Sequence, residues 1–546
     1  MGCGIFSITS GTISGYAGLV MGRCELLVVA WDGAPPELLR EWAGAGLLPA
    51  LEELSGTAAW GTVESTLPPI TAPAWASFHT GCGPGKHGVF GWAGRAPNRY
   101  TPTLVDSRAL AVPTVWELIS AQKRVGIVGF PLSFPPREVQ GFWVPGFLAP
   151  EGADGFPPGI MAEARLIAPD YMPTPPEWTP TIPPEDWAQE LVRGIEAEAR
   201  VAIGLSGRYR PDALAVHFQA TDTVQHYLWG RPEVVSVFQA ADRALGELLS
   251  ALRPRWLVLL SDHGMGPLEG EFHVNTWLLR EGFLHLRRRP GAALRRALFR
   301  RGLSPRGLEK VGHQLYPLAR RLGIVRSSAD LWARGPFATF ARAFFLSLDD
   351  VDWRRTWAYS HAEVGSIFLN RAGREPQGIV RPQDAPRVLR DLVQGLKELR
   401  LPDGRPLLGE VLFGRDVYQG EQAELGPDLL FLPAGLRWVG KGLGGFLHHR
   451  VFSPPATAAG HRMEGTLILS GEGVKPGEGL HGRLWDLAPT IITLLGAPIP
   501  DWLDGRPLSE GFQPGFLEPE YVSQPVKARH GYEGDTVDRL RGYGYL

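Results

Sequence analysis

Short, continuously apolar runs recur along this chain, and several stop abruptly on a carboxylate, an imidazole or a hydroxyl. Runs of that length and uniformity predict strands buried on both faces, as in a parallel sheet. They cover 25–30, 124–130, 213–218, 256–260, 428–432 and 466–470. Between them, apolar positions spaced three and four apart predict helices over 36–54, 187–204, 234–252, 385–399 and 484–495. Strand and helix alternating at this scale predict an α/β fold: a mostly parallel central sheet with helices on both faces. In such sheets the working groups collect beyond the carboxyl ends of the strands.

Two segments break the rhythm. Residues 132–185 are proline-rich and predict an irregular excursion or a substrate-side cover. Residues 270–350 predict a cap-like insertion, in which 287–326 carries eleven Arg and one Lys against a single acid, Glu309. Two readings of that run stay open. It is a solvated face of two amphipathic helices with Leu294 and Leu298 turned inward, or a positive wall for an anionic substrate, nucleic acid or anionic lipid. The expected division is a catalytic core of 25–269 with 351–512, the insertion 270–350, and a C-terminal tail 513–546. Residues 1–20 are small, apolar and uncharged, without a preceding basic residue or a following cleavage site. A second start at Met21 makes 1–24 a disordered leader or a misplaced start.

Composition narrows the partners. At 546 residues and 44% hydrophobic content the chain can bury a large interior, in two domains or one elaborated domain. A net charge of −2 gives no global pull towards nucleic acid or membranes, and no sequence-specific nucleic-acid partner is expected. Three cysteines supply neither a disulfide framework nor zinc-finger spacing, so a reducing, cytoplasmic location is expected. No apolar run reaches the roughly 18 residues of a spanning helix.

The candidate chemistry lies in L-L-V-V-A-W-D-G, P-P-I-T-A-P-A-W, T-D-T-V-Q-H, L-V-L-L-S-D-H-G-M and A-G-H-R-M-E-G. Asp32, Asp262 and His263 follow their strands directly, and Asp222 comes four residues after its own. Asp222 and His226, four apart, project from one face of a helix and can grip one ion. Each has a plainer use, as Asp32 does in capping a helix from Pro35. Thr71 precedes an apolar helix over 74–78, where the amides and macrodipole stabilise an alkoxide or a bound phosphate, or where Thr71 simply caps. His461 has little local signal among 14 histidines. Carboxylates, imidazoles and one hydroxyl are the groups that a pair of divalent cations needs around a nucleophilic alcohol.

In order, these motifs resemble the alkaline phosphatase superfamily, and most closely its type I phosphodiesterase/nucleotide pyrophosphatase branch. The likeness runs over 25–130, 205–282, 350–375 and 410–510 and includes W-D-L-A-P-T-I-I-T-L-L-G-A-P-I-P-D-W-L-D-G-R-P-L near the end. It implies two divalent metal ions, zinc expected and manganese the alternative. Asp222, His226 and His461 would hold one. Asp32, Asp262 and His263 would hold the other, with Thr71 bound to it as nucleophile. The implied activity is hydrolysis of a small anionic phosphate ester, a diester first, through a phosphothreonine intermediate.

One departure stands out. Nucleotide-cleaving members carry Asn shortly after the nucleophile, where this chain has Ala74. A backbone amide, an arginine of the insertion or Lys86 must hold that phosphoryl oxygen instead. Trp75 and His273 are further candidates for the substrate pocket, with helix packing the plainer role of Trp75. The rivals are a phosphomonoesterase, a phosphoglycerate-mutase-like or phosphonate-cleaving relative, a sulfatase, and a non-catalytic binding protein.

Overall fold

The six apolar runs sort into three environments. In the computed structural model, which describes residues 24–96, 99–307, 340 and 343–525, eight strands form the central sheet. They are β1 (Leu26–Trp31), β2 (Ala59–Glu64), β3 (Val125–Val128), β4 (Gly141–Val144), β5 (Ala213–Phe218), β6 (Trp256–Leu260), β7 (Glu464–Gly471) and β8 (Gly477–Arg483). Their order is β8-β2-β7-β6-β1-β5-β3-β4. Four of the predicted runs are thus neighbours at the centre, all parallel. β7 is the exception: it runs antiparallel to both β2 and β6. Continuous apolarity reports burial on both faces and carries no information about strand direction.

The run near 428–432 lies elsewhere. Leu429–Pro433 belongs to a four-stranded antiparallel sheet with Ala358–Tyr359, Ser366–Leu369 and Leu408–Phe413. There Leu429 and Phe431 join a separate apolar cluster with Phe272, Trp277, Ile367 and Leu392.

Alternate residues of β1 explain the layering. Leu27, Val29 and Trp31 pack into a cluster with the long helices Pro184–Tyr209 and Pro232–Leu252. Leu26, Val28 and Ala30 face the opposite way, against helices Thr71–Thr80, Val115–Ile119 and Leu487–Leu494. Helices therefore cover both faces, as the strand–helix alternation predicts. The predicted helix over 36–54 is two, Pro36–Gly44 and Pro49–Leu54, because a proline lacks the N–H that a continuing helix needs. The proline-rich excursion contributes the edge strand β4 and the helix Ile160–Ile167.

In the insertion, residues 308–339 and 341–342, which include 308–326 of the arginine-rich stretch, lie outside the described residues. The helix Pro290–Arg300 buries Ala292 and Phe299, while Leu294 is 53% exposed. The expectation that Leu294 turns inward is overturned, since Ala292 and Phe299, seven apart, mark the body-facing side and Leu294 lies on roughly the opposite side of the helix. Among the described residues no helix is long and apolar enough to cross a membrane.

Candidate active site

Three adjacent parallel strands deliver the site. β5, β1 and β6 pair in register, Trp31 opposite Phe218 and Ala30 opposite Leu260, so their carboxyl ends lie level. Asp32 and Asp262 leave β1 and β6 there, and the Ala220–Leu228 helix that follows β5 presents Asp222 and His226 one turn apart. The Asp32 N–H still donates to Phe218 O at 3.3 Å. Gly33 then turns at φ +64°, where a side chain would be strained and its Cβ would lie 3.0 Å from Asp222 Oδ1. His461 arrives from Ala459–Arg462, a short strand paired antiparallel with Gly264–Pro267, directly after His263.

A buried polar clamp holds these turns. The Ser261 hydroxyl accepts the Ala34 N–H at 2.8 Å and donates to His263 O at 2.6 Å. Thr221 Oγ1 donates to Asp32 O at 2.8 Å and Gln225 Nε2 to Gly33 O at 2.9 Å. Thr221 and Gln225 lie inside T-D-T-V-Q-H itself. Hydroxyl and amide groups one residue before and three after a ligand on a buried helix are the signal that could have found them.

All seven predicted residues converge. Thr71 is the first residue of its helix, with Ile70 at the cap position, and its Oγ1 lies 3.2 Å from His263 Nε2. That nitrogen is also 3.3 Å from Asp262 Oδ2 and 3.6 Å from Asp32 Oδ1. On the other side, His226 Nε2 is 3.4 Å and His461 Nε2 3.6 Å from Asp222 Oδ1, and 3.1 Å from each other. His263 borders both halves, its ring stacked 3.7 Å from that of His461. Two ligand groups lie within metal-binding reach, Asp32 with Asp262 and His263, and Asp222 with His263 and His461.

The tautomers follow from the backbone, and the protonation splits: His263 and His461 are held neutral, while Asp222 raises His226 against its burial. A carbonyl only accepts, so each imidazole donates through Nδ1: His263 to Gly264 O at 3.0 Å, His226 to Ala459 O at 3.0 Å, His461 to Pro69 O at 2.8 Å. In the neutral ring each Nε2 then offers a lone pair into the centre. Burial holds His263 down at about 3, and burial reinforced by His263 holds His461 well below its ordinary range. Burial, then the neighbouring carboxylates, push Asp32 and Asp262 well above the usual carboxylate range. Asp222 is pulled below it despite burial, chiefly by His226.

Each carboxylate has one oxygen pinned and one without a hydrogen-bond partner. Asp32 Oδ2 faces the Trp75 indole N–H and His217 Nε2, both at 2.9 Å, while Oδ1 has none. Asp262 Oδ1 accepts from Gly33 N–H at 3.3 Å and Asp222 Oδ2 from Gln219 at 3.2 Å, leaving Asp262 Oδ2 and Asp222 Oδ1. Buried acceptors facing buried acceptors are costly unless a cation lies between them. This donor set, mixed oxygen and imidazole nitrogen, fits divalent cations.

The family model of type I phosphodiesterase/nucleotide pyrophosphatase matches residues 26–318, more than half of the chain. The chain belongs to that family. It is a hydrolase of phosphate esters. Among solved structures it is similar to phosphonoacetate hydrolase from Sinorhizobium meliloti 1021, in complexes with phosphonoformate and with phosphonoacetate. In each the identity is 18%, covering 87% of this chain and 96% of that one, with a TM-score of 0.52, which shows a shared fold. Comparison with curated proteins gave no match.

In this phosphodiesterase-family chain, the three remaining candidates have other surroundings. The Lys86 ammonium lies 2.6 Å from Asp504 and 2.7 Å from Trp502 O, beyond the far end of the helix that Thr71 begins. Its ammonium is committed to that carboxylate and that carbonyl. Trp75 is fully enclosed, edge-on to Phe78, Phe130 and His217, so it offers no face for stacking and instead orients Asp32. His217, unremarked in the sequence, does the same; a histidine inside an otherwise apolar strand was its only signal.

His273 belongs to a buried layer behind His226. It lies opposite Lys441 across paired strands, and its Nε2 contacts Ser453 Oγ at 2.9 Å. Glu271 Oε1 accepts from Ala456 N–H at 3.3 Å, and Ala458 N–H reaches His226 O at 2.6 Å, so one short strap joins this layer to the site. Glu363 is also in this layer; burial raises its carboxyl to about 7 against its own backbone N–H and Lys441.

A raised pKa means that folded Glu363 holds its proton more tightly than the unfolded chain does. Its contribution is full below about pH 4.5 and lost as pH rises to about 7. The loss amounts to about 3 kcal/mol. Urea unfolding across that window should fall less steeply in Glu363→Gln than in the parent; identical slopes would contradict the assignment.

Proposed function

We propose that the chain hydrolyses phosphate diesters through Thr71, with two divalent cations held by Asp222, His226 and His461 and by Asp32, Asp262 and His263. The observation that supports it is one buried cluster in which three half-pinned carboxylates face imidazole Nε2 atoms: His263 lies between Thr71 Oγ1, Asp32 and Asp262, and His226 and His461 close on Asp222. Bound there, zinc or manganese would lower the pKa of the hydroxyl and neutralise charge on the phosphoryl oxygens. A threonine hydroxyl is otherwise nearly inert at neutral pH.

The protein's own groups do the rest. Thr71 Oγ1 gives up its proton to solvent and attacks phosphorus, the bond to the leaving alkoxide breaks in line, and a proton from solvent completes the alcohol. Water then attacks the phosphothreonine, which still carries the second ester group, releasing the phosphomonoester and a proton and restoring the hydroxyl. The amino end of the Thr71–Thr80 helix points its dipole at the charge that develops on the phosphoryl oxygens, and most of the rate comes from such stabilisation. Trp75 and His217 hold Asp32 Oδ2 so that Oδ1 keeps one direction. With Ala74 in place of the amide and buried in the cluster under the sheet, that side-chain donor to a phosphoryl oxygen is missing, which favours a diester other than a nucleotide. Phosphonate cleavage is the second reading, favoured by the same alanine and by the fold shared with phosphonoacetate hydrolase. Among the described residues Cys24 and Cys82 are free and buried, in keeping with a reducing cytoplasm.

Thr71→Ala should keep its metal and lose turnover of bis-p-nitrophenyl phosphate by roughly a thousandfold or more. Retained turnover would refute the nucleophile. Running p-nitrophenyl phosphate, its sulfate and phosphonoacetate alongside ranks the substrate classes. Trp75→Phe keeps the ring and removes the donor to Asp32. Its divalent-metal affinity, read by competition with a chelating dye, should drop about 10- to 100-fold; an unchanged affinity would leave Trp75 a packing residue only.

A further inference from the structure

A cavity of about 590 Å³ opens in the insertion and shares no lining residue with the Thr71 centre. Arg287, Arg288, Arg289, Arg296, Arg300 and Arg355 line it, and no acidic residue does. Among the described residues none of the six is ion-paired; Arg287 donates to Val351 O at 3.1 Å. The neighbouring Arg295 does pair, with Asp350, and that pair braces the helix. The floor is apolar, from Leu284 and Ala292. From 287 to 307 the chain has eight Arg and no acid, in a protein of net charge −2. The charge is therefore local.

A second observation lies beside it. Leu294 is 53% exposed on the helix that carries Arg296 and Arg300, and Phe344 and Phe340 are 37% and 36% exposed. Arg295 Nη1 contacts Ala343 O at 3.5 Å, which brings Phe344 next to that helix. Phe340 and Phe344 are themselves 4.9 Å apart. Unpaired arginines ask for an anion; exposed leucine and phenylalanine ask for removal from water. A free phosphate meets only the first demand, and single-stranded nucleic acid can stack bases on Phe340 and Phe344 but offers Leu294 no apolar layer. A bilayer with anionic headgroups meets both.

We propose that this face docks on an anionic phospholipid bilayer, with a phosphate-bearing headgroup in the arginine cavity and Leu294 and Phe344 in the interfacial layer. The proposal is independent of the chemistry at Thr71.

The test is co-sedimentation of the full chain with vesicles of phosphatidylcholine alone and of phosphatidylcholine mixed with phosphatidylglycerol. Binding is expected on the mixed vesicles only, and it should be released by added salt. Arg288→Glu/Arg289→Glu/Arg296→Glu should lower the bound fraction at least about tenfold. Leu294→Ser/Phe344→Ser should weaken it as well, and both variants should unfold at the parent's temperature. Equal sedimentation with both lipids, or full binding by the arginine variant, would overturn the proposal. Parent-like binding by the apolar variant, or tighter binding to single-stranded DNA than to vesicles, would also overturn it.

Discussion

Three buried carboxylates at the ends of adjacent parallel strands set the terms for everything around them. Asp32, Asp222 and Asp262 are each at most 2% exposed, and each keeps one oxygen without a hydrogen-bond partner. Packing does not require this arrangement, and burial without compensation is costly. The surrounding structure is built to hold it. Ser261, Thr221 and Gln225 tie down the turns, Gly33 leaves room for Asp222, and three backbone carbonyls fix the imidazole tautomers. The same features that make the centre costly without cations make it ready for them.

The ease of reading the site followed the geometry. Asp32, Asp262 and His263 were legible because a buried strand announces its own end, and Asp222 with His226 because helical spacing puts both on one face. His461 was not legible locally: its strand, Ala459–Arg462, is short, and only its pairing with Gly264–Pro267 brings it in. That residue entered through the order of motifs. Trp75 and His217 act on Asp32 from a layer that no spacing rule reaches, since hydrogen bonds between distant segments leave no local pattern. Lys86 looked available in a glycine-rich loop, and Asp504, over four hundred residues away in sequence, claims it.

The fold shows the same division. β1, β3, β5 and β6 were visible from continuous apolarity. β2 and β8 were missed: glycine and polar residues interrupt them, and β8 has one exposed face at the sheet edge. β7 was found with the wrong direction, and Leu429–Pro433 was found but belongs to another sheet, because apolarity measures burial and says nothing of neighbours. The insertion separates two charge economies. Its described arginines are largely unpaired and outward, while those near the second apolar cluster are committed, as Arg374 is to Asp428 and Arg95 to Glu375.

Cations filling the gap between the orphaned acceptors would complete this centre. Anomalous diffraction from crystals grown with zinc locates them directly. Two peaks are expected per chain, one among Asp32, Asp262 and His263, the other among Asp222, His226 and His461. A single peak, or none at these residues in protein that turns over substrate, would contradict the two-cation centre.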